Sequence, residues 1–257
     1  EGSFIMGDGT SGNNAPAHEV FLDAYWIDKF EVTNAQYAQC VTEGACTAPK
    51  ELGSSTRSEY FGNSQYADYP VQNVVWEQAA AYCVWTGGNL PTEAQWEKAA
   101  RGVDERTYPW GDNAATCELA NVRLGDWDYS AGDYTGEFCA GDTTKVGSYP
   151  AGASPYGALD MAGNVWEWVL DWYDKGYYQI SPDENPFGPE TGNYKAMRGG
   201  GWGNIYGLFG AYQRNAGLIS SYGSLGFRCA YPAEEQTPEP SPVPTPESES
   251  DLGIGST

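Results

Sequence analysis

The sequence predicts an α+β fold with a small helical share, short strands and long structured loops. Three short segments carry helix signals, whereas most of the chain consists of brief apolar runs separated by turns rich in Gly and Pro. Aromatic residues are frequent, with 10 Trp and 19 Tyr beside 33 Gly in 257 residues. This composition indicates loops held in place by buried rings rather than a helical bundle. The sequence contains no repeat of solenoid length.

Helix signals occur at 33–41, 76–85 and 93–101. The last is the clearest, since Thr92 and Gln95 have the spacing of a capping box and a glycine follows the segment. The second is apolar on one face and ends before two glycines, and the first begins with a Thr-Asn pair suited to an N-cap. The chain opens within a strand-like run that lacks an initiating Met, so we expect further residues before it.

Residues 1–232 are predicted to form one domain and residues 233–257 a separate tail. The tail is rich in Pro, Ser and Glu and contains six acidic and no basic residues. Such a composition cannot bury enough apolar surface for a core, so it predicts an extended linker. The last six residues are mildly apolar, which suggests a following domain or a contact with a neighbouring subunit.

The net charge of −22 disfavours two classes of partner. Nucleic acids and anionic membranes attract basic proteins, so we expect neither to bind this chain. No apolar run approaches the roughly 20 residues of a membrane span, so direct membrane insertion is not expected. No secretory leader is recognisable either. An acidic surface fits an extracellular, calcium-rich setting, although solubility alone explains it equally well.

The six cysteines predict three disulfides: a local pair, a pair flanking an acidic Gly-rich excursion, and a remaining long-range pair, namely Cys40–Cys46, Cys117–Cys139 and Cys83–Cys229. Disulfides indicate an oxidising location, either extracellular or at the cell surface. Six reduced, buried thiols are the alternative. A zinc site is disfavoured, because the sequence has no CxxC pair and His18 is its only histidine.

Seven motifs follow one another along the chain: FEVTN at 30–34, YPV at 69–71, LPTEAQWE at 90–97, YPWG at 108–111, YGALDMAGNVWEW at 156–168, RGG at 198–200 and GFRC at 226–229. In this order and spacing the series resembles the formylglycine-generating enzyme (sulfatase-modifying factor) domain family, over about residues 1–231. The resemblance implies an elaborated C-type-lectin-like fold with little regular secondary structure, a small antiparallel sheet, flanking helices and bound calcium. It also supports the Cys83–Cys229 pair.

The GNVWEW motif predicts a structural Ca²⁺ site. Asp160, the carbonyls of Gly163 and Val165, and Glu167 supply the oxygen ligands that a hard cation prefers. The alternative is that the two carboxylates hold neighbouring backbone amides while the tryptophans of the motif fill the core. The family resemblance favours calcium.

A second calcium site is predicted around Asn121. The carbonyls of Val122 and Cys139 and the side chain of Glu137 would complete it. The chain departs from the family pattern here, because Glu137 stands where an Asp is usual and an extra residue lies nearby.

The family's oxidase chemistry requires copper held by two cysteine thiolates between the RGG and GFRC motifs. Residues 199–228 contain no cysteine, and Asn204 and Phe209 stand about where the two thiolates are expected. Neither an amide nor a phenyl ring replaces a thiolate as a Cu(I) ligand, so we expect no copper and no enzymatic activity. A sulfoxide synthase of the same family would need a histidine-held iron, which one histidine cannot provide.

The segment 198–229 keeps the ends RGGGW and LGFRC, but its interior mixes Ile, Leu, Phe and Tyr with Gly, Ser and Asn. This mixture supplies anchors and small polar groups for binding and almost no groups for catalysis. It predicts a contact surface over 203–224 and its border, made of Trp202, Asn204, Ile205, Tyr206, Leu208, Phe209, Leu218, Ile219, Ser221, Tyr222 and Ser224.

One branch of the family comprises variable proteins of diversity-generating retroelements, in which a C-terminal segment is diversified at asparagine-type codons. Residues 204–209 and 218–224 contain only amino acids that such codons can yield. The resemblance therefore raises the hypothesis of a diversified display protein. Ordinary divergence of a non-enzymatic domain explains the same residues.

The favoured function is a non-enzymatic, extracellular or cell-surface binding module that contacts a protein or another ligand through 203–224. The second hypothesis is a structural subunit of a tandem array or extracellular filament, in which the same surface meets neighbouring copies. An oxidase of the formylglycine-generating type remains the lesser alternative.

Overall fold

The computed structural model describes residues 1–9, 12–125, 127–128, 130, 133–134, 136–203, 210–217 and 224–233. Within these residues, short strands and three short α-helices are joined by long loops. The strands are β1 (Gly2–Met6), β2 (His18–Leu22), β3 (Tyr25–Ile27), β4 (Trp127–Asp128), β5 (Asp133–Tyr134), β6 (Trp166–Trp172), β7 (Lys195–Arg198), β8 (Arg214–Gly217), β9 (Leu225–Gly226) and β10 (Ala230–Pro232). Within these residues the predicted α+β class with little regular structure is confirmed.

The largest sheet has the strand order β8-β7-β6-β9. Strand β7 pairs antiparallel with both β6 and β8, whereas β6 and β9 run parallel, with Trp166 opposite Leu225. The other strands form three two-stranded antiparallel pairs, β1–β2, β3–β10 and β4–β5. The predicted antiparallel sheet is therefore correct except for β9, which joins its edge in parallel because a long connection separates it from β6.

The three helices are α1 (Asn34–Thr42), α2 (Trp76–Trp85) and α3 (Glu93–Arg101), as predicted to within one residue. Thr92 Oγ1 accepts a hydrogen bond from the Gln95 amide at 3.1 Å, and Gln95 Oε1 accepts one from the Thr92 amide at 2.9 Å. This capping box starts α3, and Gly102 ends it at φ 74°. Almost all of α3 is buried, which places its charged residues inside the protein.

All three predicted disulfides are present: Cys40–Cys46, Cys83–Cys229 and Cys117–Cys139. The long-range bridge joins α2 to the residue before β10 and lies in the main apolar cluster with Trp168 and Phe227. In the described residues no helix has the length and apolar character to cross a bilayer. Of the predicted tail, 233–257, only Ala233 is described, so the linker prediction lies outside the described residues.

Candidate binding site

A buried ion-pair network anchors the RGG end of the segment 198–229. Arg198 ends β7, bonds to Glu97 and lies 3.5 Å from a carboxylate oxygen of Glu93. Glu93 also accepts hydrogen bonds of 2.8 and 2.7 Å from Arg214 in β8. Glu93 and Glu97 lie about one turn apart on α3, so one helix face holds both strands. These ion pairs fix the backbone of β7 and β8 at this end of the segment.

The GFRC end is held by a second buried pair. Arg228 donates to Glu167 through Nε at 2.8 Å and Nη2 at 2.6 Å, and both side chains are fully buried. Trp96 Nε1 donates a third hydrogen bond to Glu167, at 2.8 Å. The guanidinium of Arg228 also donates to three backbone carbonyls. The two ends of the segment are thus fixed by buried, ion-paired arginines.

Asn164 connects this framework to the surface near Trp202. Its side-chain amide donates to Glu31 at 2.6 Å and accepts from Asn121 at 3.1 Å. Its backbone carbonyl accepts a hydrogen bond of 2.8 Å from the Trp202 amide. The backbone of Trp202 is therefore held by the polar interior rather than by loop contacts alone.

A pocket of about 330 Å³ opens beside Trp202. The loop 51–55 forms part of its wall, Trp202 and Ser224 form another part, and Gln72 and Asn73 are its most buried lining residues, at 4% and 6% exposed. The pocket exists because β9 packs directly against the chain at Val71. A Cβ atom at Gly226 would lie only 2.6 Å from the Val71 carbonyl oxygen, so glycine permits the approach that brings Ser224 beside Gln72.

The tryptophan wall of the pocket is held in place by two contacts. Trp202 Nε1 donates to Ser224 Oγ at 3.1 Å, and the indole lies 5.5 Å from the Phe138 ring between centroids. Because the indole N–H is already bonded, the ring presents apolar surface to the pocket. The hydroxyl hydrogen of Ser224 is left to donate elsewhere.

The loop 51–55 is anchored from behind by Asp142. Ser54 Oγ and Thr56 Oγ1 donate to one carboxylate oxygen of Asp142, at 2.6 and 2.7 Å. Burial alone would raise the pKa of Asp142, but these hydrogen bonds, with those from backbone amides, bring the pKa below its usual value. The wall of the pocket is therefore pre-formed around a stable carboxylate.

Most of the predicted contact surface lies outside the described residues. This applies to Asn204, Ile205, Tyr206, Leu208, Phe209, Leu218, Ile219, Ser221 and Tyr222. Trp202 and Ser224 are described, and the structure brings them together at the pocket. Gln72, which lies in the PVQNVVW stretch, was not predicted as a site residue. A polar residue between buried valines was the available signal.

The residues predicted to hold the first calcium ion have protein partners of their own. Both oxygens of Glu167 accept hydrogen bonds, and Asp160 Oδ2 accepts one of 2.6 Å from the Gly147 amide. Burial raises the pKa of Asp160 to about 6, against the hydrogen bond from Gly147 and the charge of Arg228. Gly163 and Val165 are buried in the same motif. Calcium at this position stays a prediction.

The second predicted calcium position contains an orphaned ligand atom. Asn121 Oδ1 is buried and has no hydrogen-bond partner within the described structure, which suits an oxygen ligand of Ca²⁺. The Val122 carbonyl accepts a hydrogen bond from the Cys139 amide at 3.0 Å, and Glu137 is exposed nearby. A calcium ion held by Asn121 and these groups would serve to rigidify the loop. No group of three or more His, Cys, Asp or Glu side chains suited to a metal occurs among the described residues.

The cysteine chemistry of the chain does not fit copper. All six cysteines of the sequence are paired in the three disulfides, so none is available as a thiolate. Copper held by two thiolates would need reduction of a bridge, and none of these cysteines lies between residues 199 and 228.

Comparisons with known proteins agree with this architecture. Residues 1–233 match the family model of the sulfatase-modifying factor enzyme 1-like domain. A formylglycine-generating enzyme of Streptomyces coelicolor is 32% identical over 91% of this chain and 88% of the relative. A protein described as serine/threonine-protein kinase pkn1, from Chlamydia caviae, is 33% identical over 89% of this chain. This chain spans about a third of that relative, 36% of its length.

Two solved structures show the same fold. The structure of PvdO from Pseudomonas aeruginosa superposes with a TM-score of 0.68 at 25% identity, covering 89% of this chain and 90% of the other. Treponema denticola variable protein 1 superposes with a TM-score of 0.62 at 24% identity, covering 88% and 91%.

Proposed function

Since the chain belongs to the sulfatase-modifying factor enzyme 1-like family, we propose that it is a non-enzymatic binding module at the cell surface or outside the cell. The pocket beside Trp202 carries the proposal. It combines an aromatic wall with a few polar groups on a rigid, ion-paired frame, as ligand sites do. The predicted surface 203–224 would extend the contact around its mouth.

Two observations support binding rather than oxidase chemistry. The cysteines that could supply thiolates are all in disulfides, and the pocket is lined by amide, hydroxyl and indole groups together with one carboxylate, that of Glu51. Disulfides also favour an oxidising location. The calcium expected from the family would stiffen this scaffold.

The binding function is tested by screening the immobilised protein against a random peptide display library and a glycan array. Every hit is then measured on Trp202→Ala and on Trp26→Ala, a matched control whose indole is 70% exposed away from the pocket. We expect ligands whose affinity falls at least about tenfold with Trp202→Ala and not with Trp26→Ala. Hits that bind all three proteins equally would contradict the site.

The enzymatic alternative has its own test. The purified protein is incubated with Cu(I) and a cysteine-containing peptide, and copper content and peptide mass are measured. Stoichiometric copper and oxidation of the peptide would overturn the non-enzymatic proposal.

A structural subunit is the second candidate function. It is favoured by large apolar side chains exposed away from the pocket, including Ile180 at 78% and Phe187 at 64%. Light scattering and negative-stain imaging across a concentration series distinguish the two. Regular polymers would support the structural role, and a concentration-independent monomer would support the binding module.

Diversification of the surface is a separate proposal, tested by sequencing the same locus from related isolates. Changes confined to 204–224, with RGGGW and GFRC unchanged, would support a retroelement variable protein. Evenly distributed changes would support ordinary divergence.

A further inference from the structure

We propose that the pocket beside Trp202 binds a neutral, hydroxyl-rich ligand, namely a sugar residue of a glycan. The inference rests on the proposed binding function and adds the chemical class of the ligand. Three observations support it: the charge of the lining residues, the hydrogen bonds that their side chains form or lack, and the hydrogen bonds of the nearby backbone.

The charge of the pocket selects against anions. Its described lining residues include no Lys, Arg or His, and the carboxylate of Glu51 lies among them. A phosphate, sulfate or carboxylate ligand would meet no positive charge there and would approach a protein of net charge −22. A neutral ligand avoids both costs.

The interior of the pocket offers an amide without a partner. Gln72 is 4% exposed and lines the pocket, no described residue forms a hydrogen bond with its side chain, and its amide atoms are not among the fully buried ones. A primary amide has two donor hydrogens and an accepting oxygen. A ligand with neighbouring hydroxyl groups satisfies both functions at once, because each hydroxyl donates and accepts.

The opposite wall adds apolar surface and one more donor. The Trp202 ring is fixed by Ser224 and Phe138 before any ligand arrives, so no ordering of the ring is needed on binding. A sugar ring presents C–H groups on its face and hydroxyl groups at its edge. It therefore matches the indole and the adjoining Ser224 hydroxyl as well as the Gln72 amide.

An extended peptide fits the pocket less well, because several backbone groups of the loop 51–55 are already bonded. Gly53 O accepts from Asn73 Nδ2 at 2.8 Å, Ser54 N donates to Arg57 O at 2.8 Å, and Leu52 O accepts from two backbone amides. The outer edge of β9 is covered at Val71. Strand addition needs a row of free backbone groups, and these bonded groups do not offer one.

Saturation-transfer NMR tests the proposal with the full chain and the methyl glycosides of glucose, galactose, mannose and N-acetylglucosamine. EDTA is present throughout, so calcium-mediated sugar binding does not contribute. Gln72→Leu removes the amide at nearly constant volume, and Gln65→Leu makes the same change at an exposed position. Trp202→Ala and Trp26→Ala form the second pair, and circular dichroism verifies the fold of each variant.

We expect at least one glycoside to bind the wild-type chain, with affinity reduced about tenfold by Gln72→Leu and unchanged by Gln65→Leu. Trp202→Ala should abolish the transfer, and Trp26→Ala should preserve it. No binding by any glycoside, or binding insensitive to Gln72→Leu, overturns the proposal. A peptide ligand that depends on Trp202, with no glycoside binding, overturns the sugar assignment and leaves the proposed function standing. Failure of both ligand classes overturns both.

Discussion

Arg228 and Glu167 form a bidentate ion pair of 2.6 and 2.8 Å in the interior of the domain. The pair links the GFRC and GNVWEW motifs, which are 61 residues apart in the chain. The pair therefore holds the two motifs together in the interior. The two charges satisfy one another, and Trp96 completes the bonding of the carboxylate.

Breaking this pair from one side should destabilise the domain strongly. We expect Arg228→Met to lower the free energy of unfolding by about 3–5 kcal/mol, because Glu167 is left charged and buried without its partner. The double variant Arg228→Met, Glu167→Gln should recover part of the loss. Urea denaturation measures both, with Lys145→Ala in an exposed ion pair as the control expected to change little. A single-variant loss below about 1 kcal/mol would contradict the assignment.

The disulfides should contribute unequally to stability, because they close loops of different length. Cys83–Cys229 spans 146 residues and Cys40–Cys46 spans 6. Chain-entropy arguments give about 5 kcal/mol for the long bridge and about 2 kcal/mol for the short one. Paired Cys→Ala variants of each bridge, compared by urea denaturation, test this order. Equal losses would show that strain or residual structure in the unfolded chain dominates.

Local features of the sequence predicted local features of the structure well. The capping box at Thr92 and the turn between Cys40 and Cys46 depend on residues within a few positions of each other, so their outcome follows from spacing. The pocket could not be predicted in this way. Its formation depends on the approach of Gly226 to Val71, which brings together residues more than 150 positions apart.

The role of Glu167 illustrates the same limit. The motif alone allowed a calcium ligand or a structural carboxylate; the structure pairs Glu167 with Arg228, and calcium there stays a prediction. Predicting this pair requires knowing where α3 and the GFRC motif lie in space. The arginines of these motifs are structural for the same reason, because each meets an acidic residue from a distant element.

The contribution of Asp171 to stability should fall as pH rises from about 4 to about 7. Burial, and then the charge of Glu93, raise the pKa of Asp171 to about 7 from its ordinary 3.8. The folded state therefore binds a proton that the unfolded state has lost in this range, and this stability disappears as pH passes through about 7. In the wild-type chain the backbone amide of Glu93 donates a hydrogen bond of 2.7 Å to the Asp171 carboxylate. Asp171→Asn keeps an oxygen that can accept this bond.

We expect the wild-type chain to lose on the order of 2 kcal/mol more than Asp171→Asn between pH 4 and pH 7.5. Urea denaturation across this range measures the two slopes. Asp68→Asn, at an exposed position, should keep the wild-type slope and so controls for the general effect of removing one negative charge. Parallel slopes for wild type and Asp171→Asn would contradict the prediction.

Calcium should stabilise the chain through Asn121. Because its Oδ1 is buried without a partner, a bound cation would remove the cost of that orphaned oxygen. We expect the melting temperature of the wild-type chain to rise on addition of millimolar Ca²⁺ and to fall with EDTA. Asn121→Ala should lower the baseline and reduce this calcium-dependent shift. Asn113→Ala, in an exposed loop, should show the full shift, and an equal shift in both variants would place calcium elsewhere.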